Sequence, residues 1–130
     1  MKFAKWVFLI AGIWGLLALL PMYFLEAKNG RDFPPPINHP EFYYGFIGVG
    51  VAWQVLFLIL SKDPVRYRTM MIPAVLEKFT FSMAVFTLQL QRRVPPMVVL
   101  FAFIDLVLGV LFALAYFKTL DKRIVKTTGR

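Results

Sequence analysis

The chain contains no cysteine. That excludes structural disulfides, thiolate-bound metal and thiol redox chemistry. Histidine is almost as scarce: His39 is the only one, and it lies in a proline-rich stretch. A histidine–carboxylate pair within an apolar segment is thereby excluded, as is haem held by two histidines. Any metal site would rest on carboxylates alone. Charged residues make up only 17% of the chain, against roughly a quarter in a soluble domain. No phosphate loop, dinucleotide fingerprint or nucleophile–base set occurs. The expectation is no cofactor and no metal, and the chain leans away from being an enzyme.

What is abundant is apolar surface. Of 130 residues, 59% are hydrophobic and 17% aromatic, with a mean hydropathy of +0.67. One domain is the natural count at this length. A water-soluble fold of this size could not hide so much apolar surface, and a bilayer removes the need. The segments 6–25, 42–60, 69–90 and 97–117 each approach the ~20 residues that cross a ~30 Å hydrocarbon layer. Pro34-Pro35-Pro36 with Pro40, Asp63-Pro64 and Pro95-Pro96 punctuate them, because proline donates no backbone hydrogen bond and restricts the residue before it. Pro21 and Pro73 fall inside spans near an end, where a kink is tolerated. The sequence predicts an all-α membrane protein, a four-transmembrane-helix antiparallel bundle in one domain over 1–130. The basic tail 118–130 is read as a short helical continuation that frays.

Basic residues set the orientation. Lys2, Lys5, Lys62, Arg66, Arg68, Lys118, Lys122, Arg123, Lys126 and Arg130 fall on one side, and Lys28, Arg31, Arg92 and Arg93 on the other. The richer side is cytoplasmic by the positive-inside rule, which places both termini inside. The net charge of +8 does not suggest nucleic acid, because the basic residues sit in short runs between apolar segments. A basic cytoplasmic surface of Lys62, Arg66, Arg68, Lys118, Lys122, Arg123 and Lys126 is suited to anionic lipid or an acidic protein. Neutralising Arg66 and Arg68 is expected to weaken liposome binding in a salt-dependent way. Lys2 and Lys5 also resemble a signal-peptide n-region. The apolar run is longer than an h-region, and no small-x-small site precedes Lys28, so an uncleaved span is expected.

Inside lipid, helices associate through close backbone approach and interhelical hydrogen bonds. Ala11, Gly15 and Ala18, then Gly45, Gly48 and Ala52, then Gly109 and Ala113 are spaced to form such seams. The short second and third connections predict antiparallel neighbours there. Trp6, Tyr23, Phe24, Tyr43, Tyr44, Tyr116 and Phe117 sit near span ends as interfacial anchors.

The polar residues within spans carry the functional question. Glu77 and Lys78 lie in the third span, Asp105 in the fourth and Gln54 in the second. Each charge costs ~2.5–3.5 kcal/mol at a helix centre and normally faces the bundle interior with a partner. At ~1.5 Å per residue, Gln54 lies roughly 10 Å deep, Glu77 and Lys78 roughly 12–14 Å, Asp105 roughly 18 Å and Trp14 roughly 13 Å. These five residues are the candidate interhelical cluster or ligand pocket. Glu77 and Lys78 are consecutive, so they diverge by about 100° and are expected to take different partners. Lys78 reaches toward Asp105. Glu77 has Gln54 as one choice, and Arg66, Tyr67 or Arg68 folded inward as another. Either these pairs hold the bundle together, or they line a pocket in which Glu77 exchanges a proton.

Several stretches together carry a family likeness: Ala11-Gly-Ile-Trp-Gly, Leu20-Pro-Met-Tyr-Phe-Leu-Glu, His39-Pro-Glu-Phe-Tyr-Tyr-Gly-Phe, Asp63-Pro-Val-Arg-Tyr-Arg, Leu76-Glu-Lys and Ile104-Asp-Leu-Val-Leu-Gly. They resemble a group of small bacterial four-helix membrane proteins, and the layout is similar to the DoxX-like class. The resemblance implies a bacterial inner membrane, a four-helix bundle and a recurrent third-helix carboxylate at Glu77. It implies no particular activity. Sterol-isomerase-like four-helix proteins use an intramembrane histidine that this chain lacks. The expected function is a small accessory or scaffold protein, in a homo-oligomer or as a subunit of a larger membrane complex. The alternative is a binder of, or enzyme acting on, a lipophilic molecule such as a quinone, isoprenoid or sterol-like lipid, with Trp14 stacking on it.

Overall fold

The computed structural model describes residues 2–129, and for residues 121–127 the backbone alone. Five helices account for most of it: α1 Lys2–Leu19, α2 Glu26–Asp32, α3 Pro40–Lys62, α4 Met71–Leu90 and α5 Pro96–Thr128. All but α2 are long and apolar enough to cross a membrane, and no strand occurs among the described residues. The chain is therefore a multi-pass, all-helical membrane protein.

The helix boundaries follow local chemistry. Pro21 cannot donate into the α1 ladder, and the helix tightens there into a 3-10 turn over Leu20–Phe24. Proline at the start of α3 suits the first helical position, where the missing N–H is unpaired anyway. After Asp63-Pro64, the Asp63 carboxylate accepts from the Arg66 N–H at 3.2 Å, and a 3-10 turn over Arg68–Met70 leads into α4. Pro73 lies in the first turn of α4, where it costs no helical bond. At the other end of α4, Arg93 N–H donates to Leu88 O and Arg92 N–H to Gln89 O, both at 2.9 Å. Arg92 takes φ 54°. This is a Schellman ending whose left-handed position holds arginine instead of the usual glycine.

The packing order is α3, α1, α5, α4. α1 lies along α3 and α4 along α5; α1 and α5 join the two pairs, and α3 barely touches α4. Spans three and four are thus the expected antiparallel neighbours. Spans two and three are not, short though their connection is. What contact there is between α3 and α4 runs through long side chains: Phe46 and Phe81 stack at 6.3 Å between ring centres. Small residues draw α1 onto α3 instead. A Cβ on Gly12 would fall 2.7 Å from Leu58 Cδ2, and one on Gly50 2.8 Å from Leu19 Cδ1.

This corrects one predicted seam. Ala11 and Gly15 are buried as expected, and so is Gly109. On α3, however, Gly45 and Ala52 are exposed, and a Cβ on Gly45 would meet nothing within 4 Å. The α3 packing face runs instead through Ile47, Gln54, Phe57 and Ser61, with Gly50 against α1. Both registers have helical spacing, so spacing alone does not choose between them.

The apolar core occupies the half of the bundle nearest the termini. Phe8, Phe57 and Phe112 interlock there, with Phe8–Phe112 centroids 4.3 Å apart and Phe57–Phe112 5.0 Å. Ala4, Ala11, Leu60, Met71, Ala74 and Ala115 fill around them. At the opposite end, α2 and the start of α3 form a polar cap absent from the expectations. Tyr43 Oη donates to Met22 O at 2.6 Å, Asn29 Nδ2 to Tyr43 Oη at 3.1 Å, and Tyr44 Oη to Glu26 Oε2 at 2.7 Å. Tyr43 and Tyr44 therefore tie the first connection down as well as standing near a span end.

Candidate functional site

Immediately beyond the phenylalanine core, Lys78 is sunk between α4 and α5 with 4% of its surface exposed. Its Nζ lies 3.2 Å from Asp105 Oδ1 and donates to it. The same Nζ lies 3.5 Å from Glu77 Oε2, an ionic contact without hydrogen-bond geometry, and 5.3 Å from the Phe57 ring centre. One ammonium therefore serves two half-buried carboxylates over an aromatic face.

The helices are built to allow this. Gly109 lies one turn from Asp105 on α5, and a Cβ there would stand 3.2 Å from Lys78 Cβ and 3.2 Å from Phe79 Cζ. Four residues after Lys78, Ser82 Oγ lies 3.0 Å from Lys78 O and 2.9 Å from Ala102 O, stitching α4 to α5. Lys78, Ser82 and Val85 share the buried stripe of α4.

The Lys78–Asp105 contact is as the sequence suggests. The separate partner for Glu77 is not. Adjacent Cα–Cβ bonds do diverge, but the four-carbon stem of lysine is long enough to bring its ammonium back beside the neighbouring carboxylate. Glu77 and Phe81 are four residues apart on one flank, and Phe81 stacks toward Phe46 of α3. Glu77 thus lies on the flank of α4 turned to the gap between α3 and α4. Its side chain is 23% exposed, and its buried Oε2 accepts no hydrogen bond.

Gln54 does not join this group. Its Nε2 donates to Gly50 O at 2.9 Å, one turn back on α3. Its Oε1 is buried without a hydrogen-bond partner and presses on Gly15, where any Cβ would overlap it. Gln54 is a seam residue of α1 and α3. Trp14 is likewise outside the cluster. It is 37% exposed and stacks on Phe101 of α5 at 6.3 Å, because the glycine seam beside it has no room for an indole.

The basic surface needs a correction at Arg68. Its side chain is 6% exposed, with Nε donating to Tyr116 O at 2.9 Å and the guanidinium 3.7 Å from the Tyr116 ring centre. It folds inward onto α5, and not to Glu77, because Tyr116 offers it a carbonyl and an aromatic face together. Lys62, Arg66 and Lys118 are exposed. The side chains of Lys122, Arg123 and Lys126 lie outside the described residues.

Among the described residues no group of three potential metal ligands converges. Two apolar grooves lie apart from the polar cluster. One runs between α1 and α5; the other is lined by Ala52, Val55, Ile59, Tyr67 and Met70. Comparison with protein families, with curated proteins and with solved structures finds no match for this chain.

Proposed function

We propose that the protein is a small accessory or scaffold subunit of a cell's inner membrane, with both termini cytoplasmic, that assembles with itself or with a larger membrane complex. One observation carries this reading. Glu77 presents a carboxylate without a hydrogen-bond donor to the gap where α3 and α4 barely touch. Lys78 holds Asp105 by a hydrogen bond and Glu77 by charge alone, so the cluster reads as interhelical glue with one hydrogen-bond acceptor left over. Polar groups in lipid seek a partner, and a neighbouring helix carrying a donor would supply it.

A second reading uses the same gap. Phe46 and Phe81 flank it, and a quinone, isoprenoid or sterol-like molecule with a hydroxyl or carbonyl could take the Glu77 position instead of a helix. Native mass spectrometry of the protein extracted from its own membrane separates the two. An assembly larger than one chain that dissociates in Glu77→Leu supports the scaffold. A single chain holding one stoichiometric small molecule, lost in Glu77→Gln, replaces it with the ligand reading.

A further inference from the structure

The groove between α1 and α5 has no role in that proposal. It is an open groove of about 450 Å³, lined by Phe3, Trp6, Val7, Ile10, Leu108 and Leu111, with Lys2 at one end. The walls are apolar, and the chemistry changes only at that end. From Ile10 to Lys2 the groove spans about 12 Å at the helical rise, close to the ~15 Å that one leaflet contributes to the hydrocarbon layer.

A second cation stands at the same mouth. Lys118 Nζ lies 4.1 Å from the centre of the Phe3 ring, which itself lines the groove. Leu108, Leu111 and Lys118 repeat at helical spacing along α5, as Ile10, Phe3 and Lys2 descend α1. Two rows of apolar side chains thus end in lysine at the end of the bundle that carries both termini. Among the described residues the ion pairs are Lys28–Asp32, His39–Glu41 and those of Lys78, so within that set neither lysine is ion-paired.

We propose that this groove binds one anionic phospholipid, its acyl chain along the α1–α5 walls and its phosphate between Lys2 and Lys118. A long apolar slot capped by two lysines matches the two halves of such a molecule. A second copy of the chain matches less well, because a two-fold contact through this face would set lysines against lysines.

The test uses the whole chain reconstituted in vesicles of equal phosphatidylglycerol and phosphatidylcholine, released into the mass spectrometer with its retained lipid. The wild type should keep one phosphatidylglycerol per chain, preferred over phosphatidylcholine by roughly thirtyfold, the order expected of two lysines near an anionic headgroup. Lys2→Gln/Lys118→Gln should abolish the preference, and each single change should reduce it about fivefold. Lys62→Gln/Arg66→Gln should leave it intact. Leu108→Trp, which fills the slot, should lose both lipids while keeping the helix content seen by circular dichroism. Equal retention of the two lipids by the wild type would overturn the proposal. So would a preference that survives the Lys2/Lys118 changes or follows Lys62/Arg66, retention undiminished by Leu108→Trp, or a lipid-free dimer.

Discussion

Replacing Lys78 with methionine should destabilise the bundle more than any single carboxylate change in the cluster. The ammonium lies 3.2 Å from one carboxylate and 3.5 Å from the other. Coulomb attraction falls as inverse distance, so the two pulls on Lys78 differ by only about a tenth. Removing the negative charge of Asp105 as asparagine therefore leaves Lys78 with Glu77 still beside it. Removing the positive charge leaves two half-buried carboxylates with no counterion. Breaking a buried pair by deleting one partner costs about 3–5 kcal/mol, and Lys78→Met should fall in that range. Asp105→Asn should cost about half as much, because a substitute partner is in place, and Glu77→Gln less than about 1 kcal/mol, because the stronger contact survives. The triple change Lys78→Met, Asp105→Leu and Glu77→Gln removes every charge at once and should recover most of the loss. Reversible unfolding in mixed micelles, followed by tryptophan fluorescence, gives the ordering. If Asp105→Asn costs as much as Lys78→Met, the shared-cation account is wrong.

Other substitutions test the seams and ends. Gly15→Ala should cost about 1–3 kcal/mol from the overlap with Gln54, with Gln54→Ala restoring much of it. Gly45→Ala, facing open space, should instead stabilise by up to ~1 kcal/mol from helix propensity. The same unfolding assay reads both. Arg68→Ala should lower stability by about 2 kcal/mol, since it loses a charge-assisted hydrogen bond and a ring contact. Arg66→Ala should leave thermal stability unchanged within about 0.5 kcal/mol. Arg92→Gly should raise the melting temperature, because arginine at φ 54° bears roughly 1–2 kcal/mol that glycine avoids.

Much of the fold was legible because the bilayer imposes lengths and the prolines mark the breaks. The helices at 42–60 and 69–90 sit inside α3 and the segment Arg68–Leu90. Lys78–Asp105 was legible too, since two opposite charges inside adjacent spans have few other solutions. Less legible was which helices pair. Loop length ties α3 to α4, but packing is decided by which glycines meet a neighbour, and Gly45 and Gly50 look alike in sequence. Arg68 resembled surface charge because nothing local announces that Tyr116, 48 residues on, will receive it. The cap formed by Tyr43, Asn29 and Met22 was missed for the same reason: its parts are polar, ordinary and brought together only by α2.

The central claim, that the α3–α4 gap meets another protein, is tested most directly by photo-crosslinking in the intact membrane. A benzophenone side chain placed at Phe46 or at Ala84, on either side of the gap, should give a protein adduct of defined mass, while one at the exposed Leu114 of α5 should give only lipid. Protein adducts absent from both gap positions, or equally abundant at Leu114, would contradict the account.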